Sequence, residues 1–243
     1  MIAIIRRPRF AGAVLLLALG IAGTTTFAVK AADAGSQPVP FSDARLKIEL
    51  NSTDGDAGLQ VFIDGPPWRE VVIRDPQGRE VVDFAAGDRI ENYGLTELFS
   101  ESSEPPFTEF PFAEFKKLFP EGRYSFSGRT IHGQRMTGSA ILSHRVPDGP
   151  VINEPQDGVS VAANALVVRW QPVTTPAGVS IAGYQVIVIA KSPKRTFSAD
   201  LPATATSLPI PSGFLVPGGY LVEVLAIDAN GNQTLTLHAF TVQ

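Results

Sequence analysis

From Leu46 to Val242 the apolar residues come in short runs cut by turn residues, and this pattern decides the fold class. Leu46–Leu50, Leu59–Ile63, Val71–Ile73 and Val81–Phe84 read as strands, rich in branched residues and set between breaks. Asp75-Pro76-Gln77-Gly78 places Pro and Gly where a tight turn wants them. Tyr124–Ser127 and Thr137–Leu142 follow, with a turn at His132-Gly133. Past a stiff break at Val146-Pro147-Asp148-Gly149-Pro150, the pattern resumes in Ala165–Trp170, Tyr184–Ile189, Ser207–Ile210, Tyr220–Ile227 and Thr234–Val242. One stretch keeps a helical period. Phe112, Phe115 and Phe119 stand at i, i+3 and i+7, which predicts a helix over Pro111–Phe119. The expected fold is all-β: two tandem sandwiches, 41–146 and 147–243, the first with one short helix.

Residues 1–34 are expected to be a signal peptide rather than fold. Arg6, Arg7 and Arg9 precede an apolar heart at Ala11–Ala22, and Ala32-Asp33-Ala34 is a small-residue cleavage pattern. The competing reading is an uncleaved anchor, since the 20 uncharged residues from Phe10 to Val29 can just span a bilayer. The chain has 20 basic against 24 acidic residues; cleavage after Ala34 leaves 16 against 23, a net charge of −7. That sign repels phosphate backbones and argues against a nucleic-acid partner. The basic group Lys191, Lys194 and Arg195 is expected to be a solvated loop. Apolar residues at 44% and charged residues at 18% exclude a disordered chain. With no cysteine, disulfides, thiolate metal sites and Cys nucleophiles are excluded.

The second half carries a recognisable set of residues. Trp170 closes one strand, Tyr184 opens YQVIVI, and Leu215-Val216-Pro217-Gly218-Gly219-Tyr220 leads into YLVEVLAID and the turn Ala229-Asn230-Gly231-Asn232. In these features 147–243 resembles a fibronectin type III domain, whose L-x-P-x-x-Y corner fills the sandwich end with a ring and bonds its OH to nearby backbone. The resemblance implies a seven-stranded sandwich used as a spacer or binding module, with no catalytic residues to carry over. The first half holds a shorter echo, Leu118-Phe119-Pro120-Glu121-Gly122-Arg123-Tyr124. On that echo 41–146 reads as a second, immunoglobulin-like sandwich.

Signatures of catalysis are sparse. The sequence has no G-x-S-x-G elbow, no G-x-G-x-x-G and no H-E-x-x-H, and His132, His144 and His238 are isolated. A catalytic carboxylate pair leaves no local spacing and stays open. The Gly-flexed acidic loop Asn51–Gly58 is a candidate calcium site, with Asn51, Asp54 and Asp56 as ligands, Glu49 upstream and Asp64 downstream. The same residues also read as a plain hairpin connection. From Glu91 to Phe126, seven phenylalanines alternate with glutamates; most of these rings are expected in the core, leaving Ser100–Phe107 as a partner-facing loop. Asn51-Ser52-Thr53 and Asn232-Gln233-Thr234 match the glycosylation sequon.

Together these features describe an exported, periplasmic or extracellular, non-enzymatic protein that binds or scaffolds a protein or carbohydrate partner. Membrane association is expected only if the signal stays uncleaved. The alternative is an exported carbohydrate-active enzyme or accessory subunit with a fibronectin-like appendage.

Overall fold

A computed structural model describes residues 37–163 and 166–243. The signal-peptide reading of 1–34 lies outside the described residues. The first half comprises β1 (Val39–Pro40), β2 (Asp43–Asn51), β3 (Asp56–Arg74), β4 (Glu80–Ala85), helix α1 (Asp88–Glu91), β5 (Leu95–Glu101), helix α2 (Phe112–Leu118), β6 (Gly122–Thr130) and β7 (Arg135–Leu142). The second comprises β8 (Ile152–Glu154), β9 (Ser160–Val161), β10 (Val167–Trp170), β11 (Ile181–Lys191), β12 (Lys194–Pro202), β13 (Ser207–Pro209), β14 (Gly218–Asp228) and β15 (Gln233–Val242). The protein is all-β, built as two sandwiches.

In the first sandwich one strand serves both layers. The expected strands at Leu59–Ile63 and Val71–Ile73 are the two ends of the 19-residue β3. Its first part pairs with β2 and β5, its last part with β4 and β6, and the register shifts between Asp64 and Trp68. Gly65-Pro66-Pro67 occupies that bend, where two residues without N–H donors cost no ladder bonds. Leu46, Ile48, Val61, Ile63, Trp68, Ile73 and Phe126 form the buried core. Helix α2 closes one end: its Phe115 is buried, its ring stacked on Phe112 at 5.7 Å and tilted against Phe119 at 5.0 Å. Burying such a ring contributes roughly 1.5–3 kcal/mol.

The second sandwich sets β8, β10 and β13 against β15, β14, β11 and β12, a fibronectin type III-like arrangement. Trp170 packs on Tyr184 at 5.4 Å inside a separate core. The corner is present in both halves. Tyr220 donates its OH to the Val216 carbonyl at 2.9 Å, and Tyr124 donates to the Pro120 carbonyl at 3.0 Å. In each case the acceptor lies four residues upstream, so the sequence echo is also a physical one. Five strands escaped the sequence pattern: the short β1, β8 and β9, and the longer β5 and β12. Lys194 and Arg195 begin β12 instead of lying in a loop, and Arg195 lies 5.3 Å from the Phe214 ring and donates to its carbonyl.

The two sandwiches share one twelve-stranded sheet, whose main path β1-β7-β6-β3-β2-β15-β14-β11-β12 crosses between them because the end of β2 pairs in parallel with the start of β15. Asn232 lies at the centre of this joint and is 1% exposed. Its Oδ1 accepts the Ile48 N–H at 2.8 Å, and its Nδ2 donates to the carbonyls of Ser143 and Arg145 at 2.8 and 2.7 Å. Burial of this side chain closes the second sequon to modification. Nearby, Ser52 donates N–H and Oγ–H to the Leu235 carbonyl, Leu237 donates N–H to Thr53 Oγ1, and Thr234 donates to the Pro147 carbonyl. The connection 146–150 passes so close that a Cβ on Gly149 would stand 2.7 Å from the Ser52 Cβ.

Substitutions separate these contributions. Tyr124→Phe should cost about 0.5–1.5 kcal/mol by losing one hydrogen bond, and Tyr220→Phe somewhat more, because its OH also accepts the Val216 N–H. Trp170→Ala should cost about 3–5 kcal/mol through a core cavity. Asn232→Ala removes the partner of the buried Ile48 N–H, worth about 1–3 kcal/mol when left unpaired, and of the part-buried Ser143 and Arg145 carbonyls. Urea unfolding of the full chain checks the order: Asn232→Ala should fall nearer Trp170→Ala than either tyrosine variant.

Candidate functional site

Beside the joint, the outward face of β2 carries Arg45, Lys47 and Glu49, since alternate residues of this strand point away from the core. Lys47 stands across from Gln60 of β3, which stands across from Glu101 of β5. Gln60 donates to Glu101 Oε1 at 2.6 Å. Gln233 of β15 bridges the joint: it donates to Glu49 and accepts from Lys47 Nζ at 2.7 Å.

The segment after β5 returns over this face. Ser102 donates its N–H to the Leu59 carbonyl and accepts the Leu59 N–H on its Oγ, while Phe107 donates to the Gly55 carbonyl. This places Glu104 over Gly58, where a Cβ would lie 2.5 Å from Glu104 Oε1. The glycine leaves the room that the carboxyl occupies. Carboxylate oxygens of Glu49, Glu101 and Glu104 come within 4.8 Å of one another. Desolvation, then the charges of Glu101, Asp56 and Glu49, push the Glu104 pKa up to about 7. Desolvation and the Glu49 charge also raise Glu223 of β14. On Asp56 the causes are desolvation and then Asp54. Three convergent carboxylates form a hard-oxygen set of the kind calcium takes. Two of them already accept amide hydrogens from Gln60 and Gln233.

The candidate calcium ligands are partly brought together. Asn51 Oδ1 accepts the N–H groups of Thr53 and Asp54, and its Nδ2 donates to Asp54 Oδ2 at 2.8 Å. This is the geometry of a hairpin connection, with Gly55 at a φ of +71°. Asp56 instead faces the glutamate group through its charge. Asp64 lies at the opposite end of the β2–β3 ladder, across from Asp43. In the sequence Glu49 stands just upstream of the candidate calcium loop, and Glu101 and Glu104 stand among the glutamates of the phenylalanine-rich stretch, with nothing to join them. Their meeting depends on β5, whose pairing with β3 no local pattern announced. Ser102–Phe107 of the expected partner-facing loop is fastened at one end to Leu59 of β3 and at the other to Gly55, just before it.

On the other side of Lys47 a cleft of 640 Å³ separates β2 from the second sandwich. Ala44–Lys47 line one wall, Gln185, Asp200, Ile227 and Asn230 the other. Ala140 and Ile141 of β7 also line it.

No family model and no curated protein matches this chain. Among solved structures, similarity is found to a two-domain fibronectin type III segment of chicken tenascin, at 12% identity and a TM-score of 0.31, over 83% of this chain and 98% of that one. The FN1–FN3 domains of chicken CNTN1 are similar at 13% identity and a TM-score of 0.35, over 85% of this chain and 65% of that one. A tetra-tandem repeat from the extending region of a large adhesion protein is similar at 17% identity and a TM-score of 0.30, over 83% of this chain and 50% of that one.

The raised Glu104 carboxyl has a pH signature. Its folded pKa of about 7 exceeds the ordinary 4.5, so the folded chain keeps a proton that the unfolded chain releases between those values. The stability this group contributes is full below pH 4.5 and is lost as pH rises through 7. Glu104→Gln should therefore raise Tm more at pH 8 than at pH 5 in melting curves of the full chain. Equal shifts at the two pH values would contradict the raised carboxyl.

Proposed function

We propose that this chain is an exported, non-enzymatic binding or scaffolding protein that holds two sandwich surfaces in fixed relation. The observation that carries the reading is the joint, where β2 pairs with β15 and Asn232 is buried between the halves. Flexibly tethered modules need no such contact; a scaffold that sets the geometry of its partners does. Export rests on the basic residues Arg6, Arg7 and Arg9, the apolar segment after them and the Ala32-Asp33-Ala34 pattern. Among the described residues, no helix is long and apolar enough to cross a membrane. The cellular setting proposed is periplasmic or extracellular, with a protein or carbohydrate partner.

One observation favours a carbohydrate hydrolase instead: Glu104, partly protonated near neutral pH beside Glu49 and Glu101, has the protonation of a general acid. The surroundings weigh against it. Two of the three carboxylates are already held by amides.

The immobilised full chain, offered cell-envelope extract, should retain a partner saturably, and Glu104→Gln should retain it equally. Release of soluble sugar from envelope polysaccharide, lost in Glu104→Gln, would contradict this reading and support the hydrolase.

A further inference from the structure

Strand β2 is paired along its whole length on one side only. Its β3 ladder runs from Asp43 to Asn51, whereas its pairing with β15 covers Glu49–Asn51. The next group toward the start of β2, the Ile48 N–H, is taken by the Asn232 side chain. Beyond it β15 offers nothing, because Asn230 and Gly231 turn the chain back toward β14. Strand alternation aims the N–H and C=O groups of Leu46 and Ala44 the same way as those of Ile48. Among the described residues no strand pairs with them on that side. These are the residues that line the 640 Å³ cleft, a volume within the range of natural ligand sites.

The side chains around this edge state what would fit. Arg45 and Lys47 project on the outward face of β2, two residues apart. Lys47 is half-buried, and its hydrogen-bond acceptor is the neutral Gln233 amide. Among the described residues it makes no ion pair, although the chain as a whole is acidic. Arg45 bridges Asp43 at 2.9 Å and lies 4.3 Å from the Phe62 ring. On the far wall Asp200 already accepts from Gln185 at 2.8 Å. Toward the other face stand Ala140 and Ile141, the latter 53% exposed.

We propose that the cleft receives an extended peptide that adds a strand to β2 at Ala44–Lys47, with acidic residues two apart opposite Arg45 and Lys47 and apolar residues between them over Ala140 and Ile141. The peptide continues the row of β15 along β2. Main-chain bonds to Ala44 and Leu46 supply the affinity, and the acidic-apolar alternation supplies the selectivity. This deepens the scaffold reading and rests on it, naming the partner as a protein segment.

The test is amide hydrogen exchange on the full chain, with and without a terminally blocked hexapeptide of alternating valine and glutamate. Exchange at Ala44 and Leu46 should slow at least tenfold. A valine–lysine hexapeptide and the fully N-methylated valine–glutamate hexapeptide should leave it unchanged. In Arg45→Glu/Lys47→Glu the preference should reverse toward the lysine peptide, with protection at Ile63 and Val224 showing that both cores stay folded. Equal protection by the two charge patterns, protection by the N-methylated peptide, protection confined to the edges of β5 or β12, or none at millimolar peptide would overturn the proposal. Partner capture that persists with no protection at Ala44 and Leu46 would overturn this site and leave the scaffold reading standing.

Discussion

Much of the described structure turns on one buried amide. Asn232 presents one acceptor and two donors at the point where two sandwiches meet, and each finds a backbone partner. A hydrophobic side chain would leave those groups unsatisfied, and an aspartate would turn an acceptor toward two carbonyls. The amide is itself held in place. Asp228, 1% exposed, accepts the N–H groups of Asn230 and Asn232 at 2.9 Å, fixing the turn between β14 and β15. A buried carboxylate is tolerable when several N–H groups surround it, and here that arrangement aims the asparagine at the first sandwich.

The electrostatics of the candidate site follow from the same joint. Gln233, next in sequence, engages both Lys47 and Glu49, so the start of β15 organises the charged face of β2. Around it lie Glu101, Glu104, Asp56 and Glu223, and the last three have raised pKa values because burial and neighbouring charge oppose ionisation. An acidic group beside a lysine that makes no ion pair divides the face in two. On one side carboxyls crowd one another; on the other an unpaired strand edge opens into the cleft.

The sequence revealed local features well and the meetings between them poorly. Trp170, Tyr184 and Tyr220 announced the second sandwich because a corner motif is contiguous in the chain, and Tyr124 echoed it for the same reason. The phenylalanine helix was visible by its period. Leu59–Ile63 and Val71–Ile73 read as two separate strands, whereas they are one strand that Pro66 and Pro67 bend between layers. Strand β5 was hidden because LTELFSE sits in a segment rich in glutamate and phenylalanine. With it went any view of Glu49, Glu101 and Glu104 meeting. Asn51 and Asn232 show the limit most clearly. Each resembled a ligand or a modification site by pattern, and each spends its side chain on backbone groups, Asn51 within its own turn and Asn232 across the joint.

The central claim is that the joint locks the two sandwiches into one body. Residual dipolar couplings of backbone amides, fitted separately for 41–146 and 152–242 in a weakly aligned sample of the full chain, test it directly. The account predicts a single alignment tensor, equal in magnitude and orientation for the two sets. Two tensors of different magnitude would mean that the halves move independently, and would contradict it.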